Sequence, residues 1–557
     1  MRIKNNAQKV ENIYENNKSS VDFTVRIGGE GGDGVISCGE MLAQAISKTD
    51  YHVFTYITYP AEIRGGFSTI QIRIQDKSIL SMGSSIDYLI VFNQIALDRT
   101  IKLINPDSMI IYDPDLIKIP DDTTASANSL PVEAIAKSIS SGKRTKNIVA
   151  LGAMSYLFGM DIYLLKNLVS ERFHAKGEKI VNVNLEALEA GYQYAKKNNW
   201  ERRFNLRGDS KKNHSHYFFI SGNDAIALGA IVAGCRFVAG YPITPATPIL
   251  ERLLKVMPSV GGKAIQVEDE IAAISAIIGA SFAGMKVLTP TSGPGLQLMG
   301  EQLNLASMLE LPIVIVNVQR GGPSTGLPTK TEQSDLKFAI YGTSGETPRI
   351  VLAPTSVEDS FYQTIRAFNL SERYQMPVII LTDQSIGYRK ATLRLPENDA
   401  IHEVASSFPA EKMGIPNAKR INIVNRKTPD KEELTHYKRY KITSNGISPI
   451  AIPGTPNCQY LATGLEHTEL GKANYTPRNH KTMMEKRFTK FNIPDEKAWS
   501  NLSVIEDIKF IGYPIGIADY SNNYPIFRSG YTATAPFIDY NNKKEFLIDA
   551  PCFPGSS

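Results

Sequence analysis

Three short segments place polar side chains directly after apolar runs that predict β-strands. Thr244 lies between two prolines in AGYPITPATPILE, where the rigid backbone would hold its hydroxyl at a strand end. Glu268, Asp269 and Glu270 open the alanine-rich helical pattern IAAISAIIGAS and would gain from the positive end of that helix. Arg320 follows the strand pattern IVIVNV beside two glycines, where its guanidinium can bind a carboxylate in a bidentate manner. From the residues alone, ordinary helix starts explain the first two segments equally well, and Arg320 alone would be taken as half of an ion pair.

A glycine-rich turn near the N-terminus, GGEGGDGV, joins a strand pattern to a helical pattern. Gly29, Gly31 and Gly34 fit G-x-G-x-x-G, in which backbone amides approach a phosphate. The acidic residue of a dinucleotide site is missing at the expected distance. The turn also contains Gly-Asp-Gly, the opening of a magnesium-diphosphate motif, but the asparagine expected roughly 25 to 30 residues later is missing, since the next one is Asn93. The sequence therefore disfavours a dinucleotide site and excludes that route to a diphosphate.

These segments belong to two successive α/β patterns. Residues 21–197 combine alternating apolar runs with helical periods, and the polar, basic residues 198–216 predict a linker. Residues 217–395 alternate continuous apolar strands with alanine- and glycine-rich helices, which is typical of a parallel sheet buried on both faces. Residues 396–490 have weak periodicity and are expected to wrap another domain. We therefore predict an α/β fold class, with two α/β domains, the second a doubly wound parallel sheet, and an irregular C-terminal extension.

Composition narrows the class of protein. A length of 557 residues exceeds a single core, and a net charge of +5 gives no indication of nucleic acid binding. The polar residues 1–20 lack the apolar core of a signal peptide, and no stretch resembles a membrane span, so we expect a cytoplasmic protein. The four cysteines are scattered, which predicts no metal site in this chain. Any electrons that the reaction releases would then pass first to another polypeptide.

The motif YPITP, Tyr241 to Pro245, is the signature of the alpha subunits of 2-oxoacid:ferredoxin oxidoreductases, which the chain resembles over about residues 20 to 490. Further matching segments follow in the order of that family: TSGPGLQLM, VQRGGPSTGLPTKTEQSDL, NGISPIAIPG and QYLATGLEHTELGK. The resemblance implies a pyrimidine-type thiamine diphosphate-binding domain at 217–395.

The resemblance also implies a role for each motif. Glu270, rather than Glu268, would hydrogen-bond the aminopyrimidine ring of the cofactor and is the expected catalytic residue. Thr244 would meet the oxo or carboxylate oxygens of the substrate, and Arg320 would bind its carboxylate. The residues expected to face the cofactor are Tyr241, Pro242, Ile243, Thr291, Ser292, Gly293 and Gly295.

The first domain resembles the gamma domain of the same enzymes, through GGEGGDGV and YPAEIRGGFS. Arg64 stands beside two glycines, where a cation and free amides could meet a phosphate of coenzyme A. Gly29, Gly31, Gly34 and Arg64 are thus candidates for a coenzyme A or phosphate site. A structural turn that packs two domains together is the alternative.

The resemblance implies a hetero-oligomeric enzyme. A beta subunit would hold Mg²⁺, the diphosphate and a [4Fe-4S] cluster, and ferredoxin would accept the electrons. The reaction would be the oxidative decarboxylation of a 2-oxo acid to an acyl-CoA and carbon dioxide. 2-Oxoglutarate is the favoured substrate, because long fused chains of this kind include the 2-oxoglutarate enzymes.

The sequence departs from the family after about Lys490. Residues 491–557 resemble a fragment of a trypsin-like serine peptidase that ends inside G-S-S-G-S-P, with Ser557 at the nucleophile position. The last histidine is His480, outside that fragment, so we expect no peptidase activity from it. A truncated or chimeric fusion unable to assemble, or a catalytically inactive structural subunit, is therefore the alternative to an active enzyme subunit.

Overall fold

The computed structural model describes residues 21–58, 66–79, 81–140, 145–206, 217–394 and 423–491, together with the backbone of three short strands in the C-terminal tail. The strands are β1 (Asp22–Glu30), β2 (His52–Thr58), β3 (Phe67–Gln75), β4 (Ile86–Val91), β5 (Ile104–Tyr112), β6 (Ser126–Ser129), β7 (Tyr217–Ser221), β8 (Phe237–Gly240), β9 (Lys263–Gln266), β10 (Val287–Thr291), β11 (Ile313–Gln319), β12 (Ile350–Leu352), β13 (Pro377–Asp383), β14 (Lys390–Arg394), β15 (Asp507–Lys509), β16 (Ser529–Thr532) and β17 (Ile548–Asp549).

The α-helices are α1 (Val35–Ser47), α2 (Gln94–Thr100), α3 (Val132–Ile139), α4 (Lys146–Leu157), α5 (Ile162–Phe173), α6 (Glu178–Lys197), α7 (Gly222–Val232), α8 (Thr247–Val256), α9 (Glu270–Phe282), α10 (Gly293–Leu298), α11 (Gly300–Met308), α12 (Leu336–Tyr341), α13 (Val357–Tyr374), α14 (Gln384–Tyr388) and α15 (Pro477–Thr489). Short 3-10 helices lie at Ile101–Leu103, His174–Lys176 and Met257–Val260.

An eight-stranded mixed sheet carries the first core, in the order β6-β5-β4-β1-β3-β2-β14-β7. Strands β1, β4, β5 and β6 pair in parallel with one another in that order. On the other side of β1, β3 is antiparallel to β1 and β2 is antiparallel to β3. Helices α4 and α6 pack backbone against backbone, since a Cβ on Gly152 or Gly191 would clash with a carbonyl oxygen of the other helix. The close approach explains why the apolar stretch after residue 145 is a buried helix.

Two strands of this sheet come from the part of the chain that the sequence pattern places in the second domain. β14 pairs antiparallel with both β2 and β7, and Thr55 Oγ1 accepts a hydrogen bond from the Lys390 amide at 2.9 Å. Lys390 Nζ also pairs with Glu40 at 2.6 Å. The two predicted domains therefore share one sheet, so the chain does not divide into two separate sheets at residue 217. Strand pairing depends on contacts between residues distant in sequence, which the local pattern does not show.

The first core also includes part of residues 198–216, which the polar sequence predicts to be a linker. Phe204, in the predicted linker, stacks on Phe23 with ring centroids 4.1 Å apart, and Leu206 is fully buried. A few apolar side chains within a basic stretch are enough to anchor residues 201–206 to the sheet.

A six-stranded parallel sheet forms the second core, in the order β9-β8-β10-β11-β13-β12. Helices α7, α8 and α13 pack on one face, and α9 to α12 pack on the other. Because both faces are covered, strands such as β11 and β13 are buried along their whole length. The predicted α/β fold class with a doubly wound parallel sheet is confirmed.

Residues 423–491 pack against this second unit through contacts that include buried ion pairs. Arg426 pairs with Glu372 at 2.7 Å. Glu310, at the end of α11, lies 2.7 Å from Lys486 and 2.6 Å from Lys490. The weak periodicity predicts an irregular segment, but it ends in the helix α15, which a Thr476 cap begins. Most of 491–557, including Ser557, lies outside the described residues.

Candidate functional site

The predicted site segments follow four adjacent strands of the parallel sheet. Tyr241 to Thr244 come after β8, Glu270 after β9, Thr291 to Gly295 at and after β10, and Arg320 after β11. Chain order reverses between β8 and β10, because β9 lies on one side of β8 and β10 on the other. Ligands of open α/β sheets bind at such a switch point, beyond the carboxyl ends of the strands.

Glu270 begins α9, and its side chain is buried against the β10 loop. Asp269 caps the helix by accepting a hydrogen bond from the Ala272 amide at 2.7 Å, which leaves Glu270 free to point elsewhere. A Cβ at Gly295 would lie 2.5 Å from Glu270 Oε1 and would clash with Thr291 Oγ1. Within the described chain, no hydrogen bond reaches the Glu270 carboxylate, although the residue is only 6% exposed. The site therefore holds a buried carboxylate that packs closely against the β10 loop.

Arg320 connects the ends of β11 and β8 across the site. Its Nη1 donates to the Thr244 carbonyl at 2.7 Å and its Nη2 to the Thr325 carbonyl at 2.8 Å. The Nε has no partner among the described residues, and the side chain is buried. Burial lowers the pKa of Arg320, and the carboxylates of Asp335 and Glu270 oppose that shift.

Asp335, which the sequence did not single out, completes this cluster. It is 8% exposed, accepts a hydrogen bond from Asn317 Nδ2 at 2.9 Å and donates its amide to Gln319 Oε1 at 3.0 Å. Burial raises the pKa of Asp335, and Glu332 adds to the rise, whereas Asn317 and Arg320 oppose it. Asn317 and Gln319, two polar residues at the end of the otherwise apolar strand β11, were the sequence feature that could have indicated a polar partner such as Asp335.

The cluster opens into a cleft of about 320 Å³. Gly293, Gln297, Arg320, Glu332 and Asp335 are among the residues that line it. The cleft thus combines one arginine, which can bind a carboxylate, with two carboxyl groups, which repel an anion while they are ionised.

The remaining predicted cofactor residues lie around the same edge. Tyr241 is 40% exposed, whereas Pro242, Ile243 and Thr244 are half-buried. Ser292 is fully buried, and its Oγ has no partner among the described residues even though it precedes α10. The structure thus brings the predicted site segments to one region, and their individual roles stay predictions.

The N-terminal glycine turn is fixed by a partly buried ion pair. Asp33 accepts a hydrogen bond from the Glu30 amide at 2.9 Å and pairs with Lys146 Nζ at 2.7 Å. Gly34 has a φ of 76°, and a Cβ there would lie 2.5 Å from Asn147 Nδ2, so glycine is required on both counts. Gly31 donates to the Gly66 carbonyl at 3.0 Å.

The same turn places two of the predicted phosphate residues. Gly29 lies in β1, and Gly31 is hydrogen-bonded to Gly66, just before β3. Arg64 lies outside the described residues, so its position beside these glycines stays a prediction.

The described cysteines lie apart from one another. Cys38, Cys235 and Cys458 are buried free thiols, and no three metal-binding side chains cluster within the described ranges. No helix in those ranges is long and apolar enough to cross a membrane.

Family models match both halves of the chain. One described as pyruvate flavodoxin/ferredoxin oxidoreductase, thiamine diphosphate-binding, matches residues 228–486. Another described as pyruvate ferredoxin/flavodoxin oxidoreductase matches residues 24–194. The two matches correspond to the parallel-sheet unit with its C-terminal segment and to the mixed-sheet unit.

Long relatives are similar over most of their length. The 2-oxoglutarate oxidoreductase subunit KorA of Mycobacterium tuberculosis is 34% identical over 526 residues, which cover 88% of this chain and 76% of that protein. The 2-oxoacid:ferredoxin oxidoreductase subunit alpha of a Sulfolobus species is 32% identical over 524 residues, 85% of this chain and 78% of that protein.

A solved structure is similar over the same extent. The 2-oxoglutarate:ferredoxin oxidoreductase from Magnetococcus marinus, with 2-oxoglutarate, coenzyme A and succinyl-CoA bound, has a TM-score of 0.77 and 40% identity, and covers 88% of this chain and 82% of its own. The family resemblance inferred from YPITP is confirmed. The chain therefore belongs to the alpha subunits of the 2-oxoacid:ferredoxin oxidoreductases, multi-subunit enzymes whose alpha chain carries a thiamine diphosphate-binding domain.

Proposed function

We propose that this chain forms the pyrimidine- and substrate-binding half of an active site that oxidatively decarboxylates 2-oxoglutarate to succinyl-CoA. The observation that carries the proposal is the convergence of Thr244, Glu270 and Arg320 at the switch point of the parallel sheet. The Magnetococcus marinus enzyme, solved with 2-oxoglutarate and coenzyme A, supports the choice of substrates.

The residues present fit thiamine diphosphate. Glu270 is a buried carboxylate, and the buried Ser292 Oγ on the β10 loop has no hydrogen-bond partner among the described residues. Gly295 allows the carboxylate to pack closely against the β10 loop, where any side chain at that position would displace it. When bound, the cofactor supplies the electron sink for loss of carbon dioxide. Glu270 would hold a proton shared with the aminopyrimidine ring.

Arg320 and Thr244 would bind the substrate. The guanidinium is held by two carbonyls through its Nη atoms, so its orientation is fixed before any ligand arrives. Its unpartnered Nε and its positive charge would attract the carboxylate that all 2-oxo acids share. The Thr244 hydroxyl, after β8, would contact the oxo or carboxylate oxygens of the substrate.

Partner subunits supply the rest of the reaction in this proposal. The incomplete Gly-Asp-Gly motif and the Asp33–Lys146 pair support a diphosphate and Mg²⁺ held by a beta subunit. The same subunit would carry a [4Fe-4S] cluster and reduce ferredoxin. The turn that contains Gly29, Gly31 and Gly34, with Arg64, would contact coenzyme A. A cytoplasmic location is also proposed, in keeping with ferredoxin as the electron acceptor.

The test is reconstitution of this full chain with its cluster-bearing partner. Reduction of a viologen dye is followed with coenzyme A and a panel of 2-oxo acids. We expect turnover with a preference for 2-oxoglutarate over pyruvate and branched-chain acids. Failure to co-purify with the partner would favour a structural or unassembled chain, and a preference for another acid would correct the substrate alone.

A further inference from the structure

Asp335 presents a carboxyl group to the cleft that the roles assigned above do not use. It lines the same cleft as Arg320 and Gly293. Both of its oxygens lie 2.9 Å from the position that a Gly293 Cβ would occupy, so the carboxyl packs closely against this glycine and a larger residue there would displace it. Asn317 and Ser334 hydrogen-bond this carboxyl, and a carboxyl group has further capacity beyond two bonds.

Arg320 does not neutralise Asp335 by pairing with it. Its two Nη atoms donate to the carbonyls of Thr244 and Thr325 instead. The charged groups that surround Asp335 are Arg320 at the end of β11 and Glu332 on the same loop, and Glu270 at the start of α9 acts on Arg320. A substrate carboxylate that enters the cleft therefore meets one cation, Arg320, and two carboxyl groups, those of Glu332 and Asp335.

This charge balance determines which protonation state of Asp335 allows the substrate to bind. Two carboxylates that share a site cannot both stay ionised without a large cost, and one of them takes up a proton. Burial already favours the neutral form of Asp335. A neutral carboxyl group has one O–H, and an anionic ligand can accept a hydrogen bond from it.

On the basis of the proposed function, we propose that Asp335 is a further substrate-binding residue, which takes up one proton from solvent when the 2-oxo acid binds and donates its O–H to the substrate carboxylate beside Arg320. The proton returns to solvent once that carboxylate has left as carbon dioxide. Asn317 and Gln319 at the end of β11 hold Asp335 in place for this contact.

The sign of the pH dependence follows from this assignment. The neutral form of Asp335 binds substrate, so binding weakens as the pH rises through its pKa. Uptake of one proton corresponds to a rise in KM of about tenfold per pH unit above that pKa. Asp335→Asn keeps a neutral donor at every pH, so the KM of this variant should lose that rise.

The experiment measures KM and kcat for 2-oxoglutarate against pH in the assembled complex, for wild type, Asp335→Asn and Asp87→Asn. Asp87 is a matched control, because burial also raises its pKa, but it lies in the mixed sheet and accepts the Thr24 amide at 2.7 Å. We expect Asp87→Asn to keep the wild-type profile. A wild-type slope of KM in Asp335→Asn, or a drop in kcat alone at all pH values, would overturn the inference.

A second measurement covers the case in which Asp335→Asn does not fold. Titration calorimetry of the wild-type complex with 2-hydroxyglutarate, in two buffers of different ionisation enthalpy, counts the protons taken up on binding. This ligand keeps both carboxylates and has no oxo group to react. Net proton uptake supports the inference, and no uptake overturns it. A wild-type complex that turns over no 2-oxo acid would instead contradict the proposed function, so the two failures are distinguishable.

Discussion

The Glu270 carboxylate lies directly against Gly295, so close that a Cβ at position 295 would be 2.5 Å from Oε1. Gly295→Ala should therefore displace the carboxylate and lower turnover of the assembled complex, while the chain stays folded. Gly300→Ala is the control, because the nearest atom to its added Cβ would be 3.8 Å away. The measurement is kcat for both variants together with thermal unfolding. Equal kcat values would show that the Glu270 position is irrelevant to the reaction.

Glu270→Gln tests the proposed catalytic role directly. The amide keeps the shape of the side chain but cannot hold the shared proton, and general acid–base steps contribute about 10² to 10⁴ in rate. We expect kcat to fall by that factor while KM changes little. Glu268→Gln, an exposed carboxylate two residues earlier, is the matched comparison. Wild-type turnover in Glu270→Gln would move the role to Glu268 or reject the pyrimidine site.

Arg320→Lys and Arg320→Ala distinguish charge from geometry. Lysine keeps the charge but loses the planar fork, so it should weaken kcat/KM less than alanine does. Loss of a charge-assisted hydrogen bond costs about 1.5 to 3 kcal/mol, roughly tenfold to a hundredfold. The same loss is expected for 2-oxoglutarate and pyruvate, because both carry the carboxylate next to the oxo group. A change only in the ratio between the two acids would place Arg320 at the distal end of the substrate instead.

Glu310→Gln should destabilise the chain strongly. The variant leaves Lys486 and Lys490 buried without their counter-charge, and breaking a buried ion pair from one side costs about 3 to 5 kcal/mol. Denaturant unfolding measures this loss. Glu433→Gln is the control, since its partner Lys427 is 44% exposed and such pairs contribute about 0 to 1 kcal/mol. Equal losses would mean that the buried cluster does not anchor α15.

The isolated chain should be colourless. Its three described cysteines are buried free thiols, and the scattered positions of all four do not suit a cluster. Iron–sulfur clusters absorb at about 400 nm. A band there with stoichiometric iron in the purified chain would contradict the proposal that a partner subunit carries the cluster.

The sequence predicted the parts of the site that are local. Thr244, Glu270 and Arg320 each follow a strand pattern, and the family resemblance identified them as site residues. The parallel sheet brings the carboxyl ends of their strands to one edge. Asp335 was missed although it lies near the end of the quoted segment VQRGGPSTGLPTKTEQSDL, because Arg320 alone was singled out of that segment. Only the fold places it near Gly293 and Asn317.

The same limit explains the fold elements that differed from expectation. Alternation and helical periods predict that an element exists, but they do not say which strand it pairs with. The place of β14 beside β2 depends on residues more than 300 positions earlier. The charges of residues 423–491 were likewise visible as composition, but their burial against Glu372 and Glu310 was not.

The shared sheet also sets an order of events during synthesis. β2 can pair with β3 as soon as both have left the ribosome, whereas its other edge waits for β14, which is 335 residues further on at the Thr55–Lys390 contact. At about 5 to 20 residues per second, that edge remains open for roughly 20 to 70 s. An open strand edge is a template for pairing with other chains. The β2 edge of the mixed sheet therefore needs protection while the chain is being made, and it closes only when β14 has emerged, before residues 423–491 pack against the parallel-sheet unit.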